Sequence, residues 1–160
     1  MNNPVLRSSS LRLIGLLGMM LLLAACGQKE EEAKSGSLGA MPKPQRFADF
    51  NQVTRGGRLF QEYCASCHGV DAQGAANWRK KSADGKYPAP PLDGTGHAWH
   101  HPEKVLLMTI RDGTKRLGGS MPAWGDKLSD QDMRDIIAWF QAKWPEDIYT
   151  EWARRNARAK

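Results

Sequence analysis

The sequence predicts an all-α domain, and three stretches carry that expectation. Gly56, Leu59, Phe60 and Tyr63 fall at i, i+3, i+4 and i+7 and mark one apolar helix face. Met133, Ile136, Ile137, Phe140 and Trp144 repeat with the helical period near the other end of the chain. Between them, Val105, Leu106, Met108 and Ile110 form a shorter apolar set, with Pro102 near a first helical position and Gly113 just past the end. The two longer stripes need each other, and a domain of about 100 residues that buries them together folds with few sheets or none.

The chain of 160 residues has room for one such domain and little else. Residues 1–25 read as a signal peptide: Arg7 and Arg12 precede the acid-free run "LIGLLGMMLLLAA", Leu13 to Ala25. Its thirteen residues are too few to span a bilayer, which takes about 20 at helical rise. The run ends in "LAAC", Leu23 to Cys26, which resembles a bacterial lipobox. That resemblance implies a lipoprotein whose mature chain starts at Cys26 and is acylated there, with two or more acyl chains enough for stable anchoring. The other reading is a plain secretory signal that leaves Cys26 as a free exported thiol. Residues 26–45 are rich in Gly, Ser, Pro and charge and make an anchor and flexible tether, spanning roughly 25 Å as a coil. Gly27 in place of aspartate after the lipid cysteine favours the outer membrane in a Gram-negative host.

The folded domain is expected over residues 46–145. Its first helix runs into "YCASCHGV", residues 63–70. With Cys26 lipidated, the remaining Cys64 and Cys67 sit in the C-x-x-C-H pattern of a c-type haem attachment site. Two thiols one helical turn apart can add across the two vinyl groups on one porphyrin edge, and His68 then offers an imidazole to the iron. Three competitors exist. A disulfide oxidoreductase wants a β-α-β surround that this chain lacks. A zinc site would have to join the two cysteines to two of His97, His100 and His101. A structural disulfide would leave His68 unexplained.

A haem iron held by one histidine needs a sixth ligand or an open position. Met121 stands in "RLGGSMPAW", where Gly118 and Gly119 permit close backbone approach and Pro122 blocks continuation of a helix, so this loop is built to present one side chain. Met41, Met108 and Met133 each have a tether or packing reading instead. Thioether sulfur favours ferrous iron relative to a second imidazole. In the last helix of the domain, Ser129 can cap with Asp132 at N3, while Leu128 and Met133 form a hydrophobic staple; Pro145 stops the run.

With these pieces in order, residues 48–144 resemble a class I cytochrome c, a monohaem protein with His and Met ligands. The resemblance implies crossed N- and C-terminal helices around one covalently attached haem c. It implies that a proline carbonyl accepts the proton on the far nitrogen of His68. In "YPAPPLDGTG", Pro90 matches best because it places Leu92 at the haem-packing position, with Pro91 the rival. Trp124 is expected against the haem edge or as ordinary core filling. The segment "GHAWHHP" fits no part of the pattern: His97, His100 and His101 could meet a haem propionate, cap the middle helix or bind a second metal.

Residues 146–160 form a basic extension, with Ile148, Tyr149 and Trp152 spaced for a short amphipathic helix. Of the net charge of +6, residues 1–25 carry +2 and residues 151–160 carry +3, from Arg154, Arg155, Arg158 and Lys160 against Glu151, which leaves +1 on residues 46–150. A basic balance can signal nucleic acid, but an exported, tethered protein rarely meets any, so the tail is expected in solvent, against anionic lipid or against an acidic protein. The resulting expectation is an electron carrier rather than an enzyme: a monomer or a subunit of a redox complex, tethered on the periplasmic side of a membrane and cycling iron between redox protein partners. A haem enzyme or ligand sensor with a labile Met121, and a subunit of a larger oxidoreductase, are the alternatives.

Overall fold

The computed structural model describes Arg46 and residues 49–159; the expected signal peptide, lipid-bearing Cys26 and the expected tether lie outside the described residues. Five α-helices appear in chain order: α1 (Phe50–Tyr63), α2 (Ala65–His68), α3 (Glu103–Asp112), α4 (Asp130–Ala142) and α5 (Glu146–Arg158). Single 3-10 turns lie at Ala98–His100 and Lys115–Leu117, and the described residues contain no strand. The fold class is all-α, as the periodicity implies.

α1 starts where the Asp49 carboxylate accepts the Asn51 N–H at 2.8 Å. It packs against α4 more extensively than any other two helices pack among the described residues, with Gly56 at the crossing: a Cβ there would overlap the Asp135 carbonyl oxygen. Phe60, fully buried one turn later, lies 4.4 Å from the Trp139 ring, centroid to centroid. The Asp135 carboxylate is buried at the same crossing and is fully partnered, by Arg55 Nε at 2.9 Å and Gln131 Nε2 at 2.7 Å. A buried charge without such partners would carry a desolvation penalty of several kcal/mol.

α4 opens with the reciprocal cap that Ser129 and Asp132 suggest, and Leu128 and Met133 are both buried beside it. α3 differs from expectation by one position. Pro102 is its N-cap rather than its first residue, and Pro has no side-chain acceptor to offer. The Glu103 N–H is satisfied instead by Asn156 Oδ1 of α5, at 3.0 Å.

Trp144 extends the apolar stripe of α4 in the sequence, yet the helix ends at Ala142 and Trp144 lies beyond it. It is still only 2% exposed, because its indole N–H donates to the Leu92 carbonyl at 2.7 Å. Pro145 then caps α5, whose Tyr149 and Trp152 belong to the same buried cluster as Phe60 and Ile136. The Trp152 indole donates to the His101 carbonyl at 2.9 Å, and the Tyr149 hydroxyl donates to the Arg46 carbonyl at 3.0 Å.

Gly56→Ala is therefore expected to destabilise the protein by about 3 kcal/mol through backbone overlap, despite the gain of up to about 1 kcal/mol in helix propensity. Gly57→Ala, whose new methyl would press on the Trp139 indole, a partly exposed side chain that can shift, rather than on α4 backbone, should cost clearly less, about 1 kcal/mol. Denaturant midpoints followed by far-ultraviolet circular dichroism compare the two. Equal midpoints would show that the crossing tolerates a side chain.

Candidate functional site

α1 ends at Cys64, whose backbone leaves helical geometry, and α2 restarts the helix for one turn. This break places Cys64 inward and Cys67 in solvent, with no disulfide between them. Burial pushes the Cys64 thiol up to about 12, with the neighbouring Cys67 adding to the effect. A neutral sulfur is what that environment favours, and a thioether is neutral.

His68, on the last turn of α2, is buried. Its Nδ1 lies 2.9 Å from the Pro90 carbonyl oxygen. A carbonyl only accepts, so Nδ1 carries the proton and Nε2 keeps its lone pair. Burial lowers the imidazole pKa and the Pro90 bond opposes that shift only in part, so the ring stays neutral and available as a donor.

The proline segment is fixed on both sides. Ala75 N–H donates to the Ala89 carbonyl at 2.9 Å, and Leu92 N–H donates to the Ala72 carbonyl at 2.7 Å. Ala72 adopts φ 60, a left-handed value that a small residue tolerates best, and is fully buried in the turn that follows His68. Gly74, at φ 69, has no room for a Cβ, which would run into the Pro90–Pro91 peptide. Leu92 packs against the core from the other side while its carbonyl holds Trp144.

Met121 is held by its backbone. Its N–H donates to Thr114 Oγ1 at 3.1 Å, and Thr114 N–H donates back to the Met121 carbonyl at 2.9 Å. Gly113, at φ 66, ends α3 with the Met121 carbonyl 2.6 Å from where a Cβ would stand. Gly118 supplies the left-handed residue after the 3-10 turn, and Gly119 passes against Thr114. Thr114 and Gly113 were not legible as organisers of this loop, since only the glycine after an apolar run hints at a helix end. The Trp124 ring meets Tyr63 edge-on at 5.4 Å, which brings the Met121 loop to the end of the helix that carries the cysteines. The Lys127 ammonium lies 5.6 Å from the Trp124 ring centroid.

The three histidines do not join the cysteines. His97 stacks with Trp78, His100 with Trp99, and His101 meets His97 edge-on. Among the described residues no three His, Cys, Asp or Glu side chains converge to hold a metal ion, so neither the zinc reading nor a second metal at this cluster gains support. A covalent haem does fit the residues present: two unpaired thiols one turn apart, a neutral imidazole with a free Nε2, and a thioether on a pinned loop.

The cytochrome c oxidase, cbb3-type, subunit III family matches residues 51–140. The chain is 33% identical over 94 residues to the Cbb3-type cytochrome c oxidase subunit CcoP of Azospirillum sp. (strain B510), covering 59% of this chain and 29% of that protein. It is 35% identical over 81 residues to cytochrome c-551 of Bacillus subtilis (strain 168), covering 49% of this chain and 62% of that one. The match thus spans less than a third of the length of the Azospirillum protein and less than two thirds of the Bacillus one. Among solved structures, cytochrome CL from Methylophaga aminisulfidivorans MPT aligns over 85% of each chain at 21% identity with a TM-score of 0.47, too distant to carry an argument here. The chain belongs to the cytochrome c oxidase, cbb3-type, subunit III family and is a class I c-type cytochrome with one covalently bound haem c.

Proposed function

We propose that this cytochrome is a tethered one-electron carrier in which Cys64 and Cys67 hold the porphyrin and His68 and Met121 bind the iron from its two sides. The haem, when bound, supplies a Fe(III)/Fe(II) couple. The observation that carries the reading is the 2.9 Å contact between His68 Nδ1 and the Pro90 carbonyl, because it fixes the tautomer and aims Nε2 as a ligand. Thr114 holds the Met121 backbone on both sides, which supports a sixth ligand that stays in place through both redox states. Such a filled coordination sphere leaves no position for substrate, so the role is electron transfer and not catalysis. Leu92 and Trp124, partly buried against the core, would wall the haem on its apolar side.

Acyl chains on Cys26 and the tether over residues 26–45 would keep the domain on the periplasmic face of a membrane and raise its effective concentration near redox proteins there. The likeness to an oxidase subunit supports a partner of that class, either as a separate carrier or within the complex.

Met121→Ala tests the axial assignment. The variant should lose the far-red sulfur-to-iron band, bind carbon monoxide rapidly when reduced, and drop in midpoint potential by on the order of 100 mV. The unaltered protein should bind carbon monoxide slowly and incompletely. A band that survives the substitution would move the assignment to another methionine, and rapid complexation of the unaltered protein would favour a ligand-binding role.

The anchor has its own test in the intact mass of detergent-extracted protein. The expected mass is that of the chain from Cys26 with one haem and its acyl groups, and Cys26→Ser should lack the acyl mass. An unmodified Cys26 would leave the carrier without its tether.

A further inference from the structure

The histidine segment and the basic tail, unrelated in the sequence, are one surface in the fold. Trp78 stacks on His97 with centroids 5.6 Å apart, and His97 meets His101 at 5.8 Å. The His101 carbonyl accepts the Trp152 indole N–H of α5. One turn along α5, the Arg155 guanidinium lies 5.6 Å from the ring of Trp99, which is itself stacked on His100 at 3.7 Å. Ring stacking in the two histidine–tryptophan groups, the hydrogen bond from Trp152 to the His101 carbonyl and the Arg155–Trp99 cation–π contact together tie the loop after the haem-binding turn to the end of the last helix.

Cations rim this chain of rings. Arg79 sits over Trp78 at 4.3 Å and Lys81 over Tyr87 at 5.6 Å, with Lys80 and Lys86 exposed in the same loop. Arg154, Arg155 and Arg158 are exposed on α5. The acids in these segments are Asp84 in the loop and Glu146, Asp147 and Glu151 on α5; Glu146 and Asp147 lie in its first turn, Glu146 pairing with Arg46 at 3.2 Å, and Glu151, nearest the basic end, is engaged by Arg155 at 2.9 Å and Arg154 at 4.0 Å. Tyr87 is 56% exposed, and Trp78 and Trp99 are half-buried.

We propose that this face docks the domain onto an anionic lipid surface. Amphipathic aromatic rings settle at the headgroup level, and Lys and Arg beside them are drawn to anionic headgroups. Here the two come paired, with a cation lying over each of Trp78, Tyr87 and Trp99. The cations are long side chains distributed over a loop and a helix end, which suits a diffuse layer of charge better than the fixed, closely packed centre of a protein interface. Docking would hold the domain to the surface by a defined face. The inference goes beyond the carrier reading and does not need the acyl anchor.

The test uses holo-protein comprising residues 26–160, exported with a plain secretory leader and carrying Cys26→Ser so that no acyl chain contributes. Flotation is measured with phosphatidylcholine vesicles and with vesicles containing phosphatidylglycerol as well. The expected result is salt-sensitive binding to the anionic vesicles alone. Lys81→Gln with Arg158→Gln should weaken it by about fivefold per charge. The same two-charge change at Arg58 and Arg116, outside this face, should have no comparable effect, and unchanged haem spectra verify that each variant is folded. Equal binding to both vesicle types would overturn the proposal, as would equal loss in both double variants. Absence of vesicle binding, with the Lys81 and Arg158 variant losing affinity for an acidic membrane protein, would overturn it in favour of a protein partner.

Discussion

The close crossing of α1 over α4 at Gly56 is the constraint on which the site depends. Two lines of structure leave that crossing and meet again at His68. Along α1 the chain runs through Phe60 and Tyr63 to Cys64, Cys67 and His68. Along α4 it runs through Ile136 and Phe140 to Trp144, whose indole holds the Leu92 carbonyl two residues past Pro90. The separation of the imidazole from the carbonyl that orients it is set locally by the Ala75–Ala89 and Leu92–Ala72 backbone bonds, and the crossing holds the two bodies between which this clamp is fixed. A side chain at Gly56 would push α1 and α4 apart at Asp135 and so strain the packing that carries the clamp, without touching any site residue.

Charge is handled consistently around the site. Burial holds Cys64 as a neutral sulfur and His68 as a neutral ring, so the groups offered to the cofactor bring no net charge of their own. The buried carboxylate of Asp135 sits at the helix crossing instead, compensated by Arg55 and Gln131. A site lined by neutral donors and held by backbone hydrogen bonds has few groups that must move or titrate when an electron arrives. Low reorganisation is the main requirement on a carrier's protein shell.

The sequence alone shows those features whose cause is local. The thiol spacing beside His68 follows from one helical turn, the stripes of α1 and α4 from the helical period, and the Ser129 cap from a contact three residues away. Pro90 was separable from Pro91 only through the family resemblance, because one peptide unit decides which carbonyl faces the ring. Features that join distant segments leave no periodic trace. The bond of Trp144 to Leu92 looked like a helical stripe position, and the Asn156 cap on α3 looked like nothing. The mutual hydrogen bonds of Thr114 and Met121 were hidden behind the more conspicuous Gly118 and Gly119. The stacking of His97 on Trp78 was equally illegible, since "GHAWHHP" leaves propionate contact, helix capping and metal binding all open until the rings are seen to pair with tryptophans.

α5 shows how a segment outside the matched family region becomes part of the working domain. The family match ends at Phe140, yet Tyr149 and Trp152 are as buried as the residues within it. The polar contacts of α5 to the body of the domain include Glu146 and Tyr149 to Arg46, Trp152 to His101 and Asn156 to Glu103. The last two fall on the segment between the proline clamp and α3, so α5 braces the loop that runs from Leu92 to the middle helix. Its first turns are therefore fixed by burial, and its basic final turn is carried to one place on the surface. A tail fixed in this way presents Arg154, Arg155 and Arg158 at a defined orientation relative to the haem pocket, which a free basic tail of the same composition could not do.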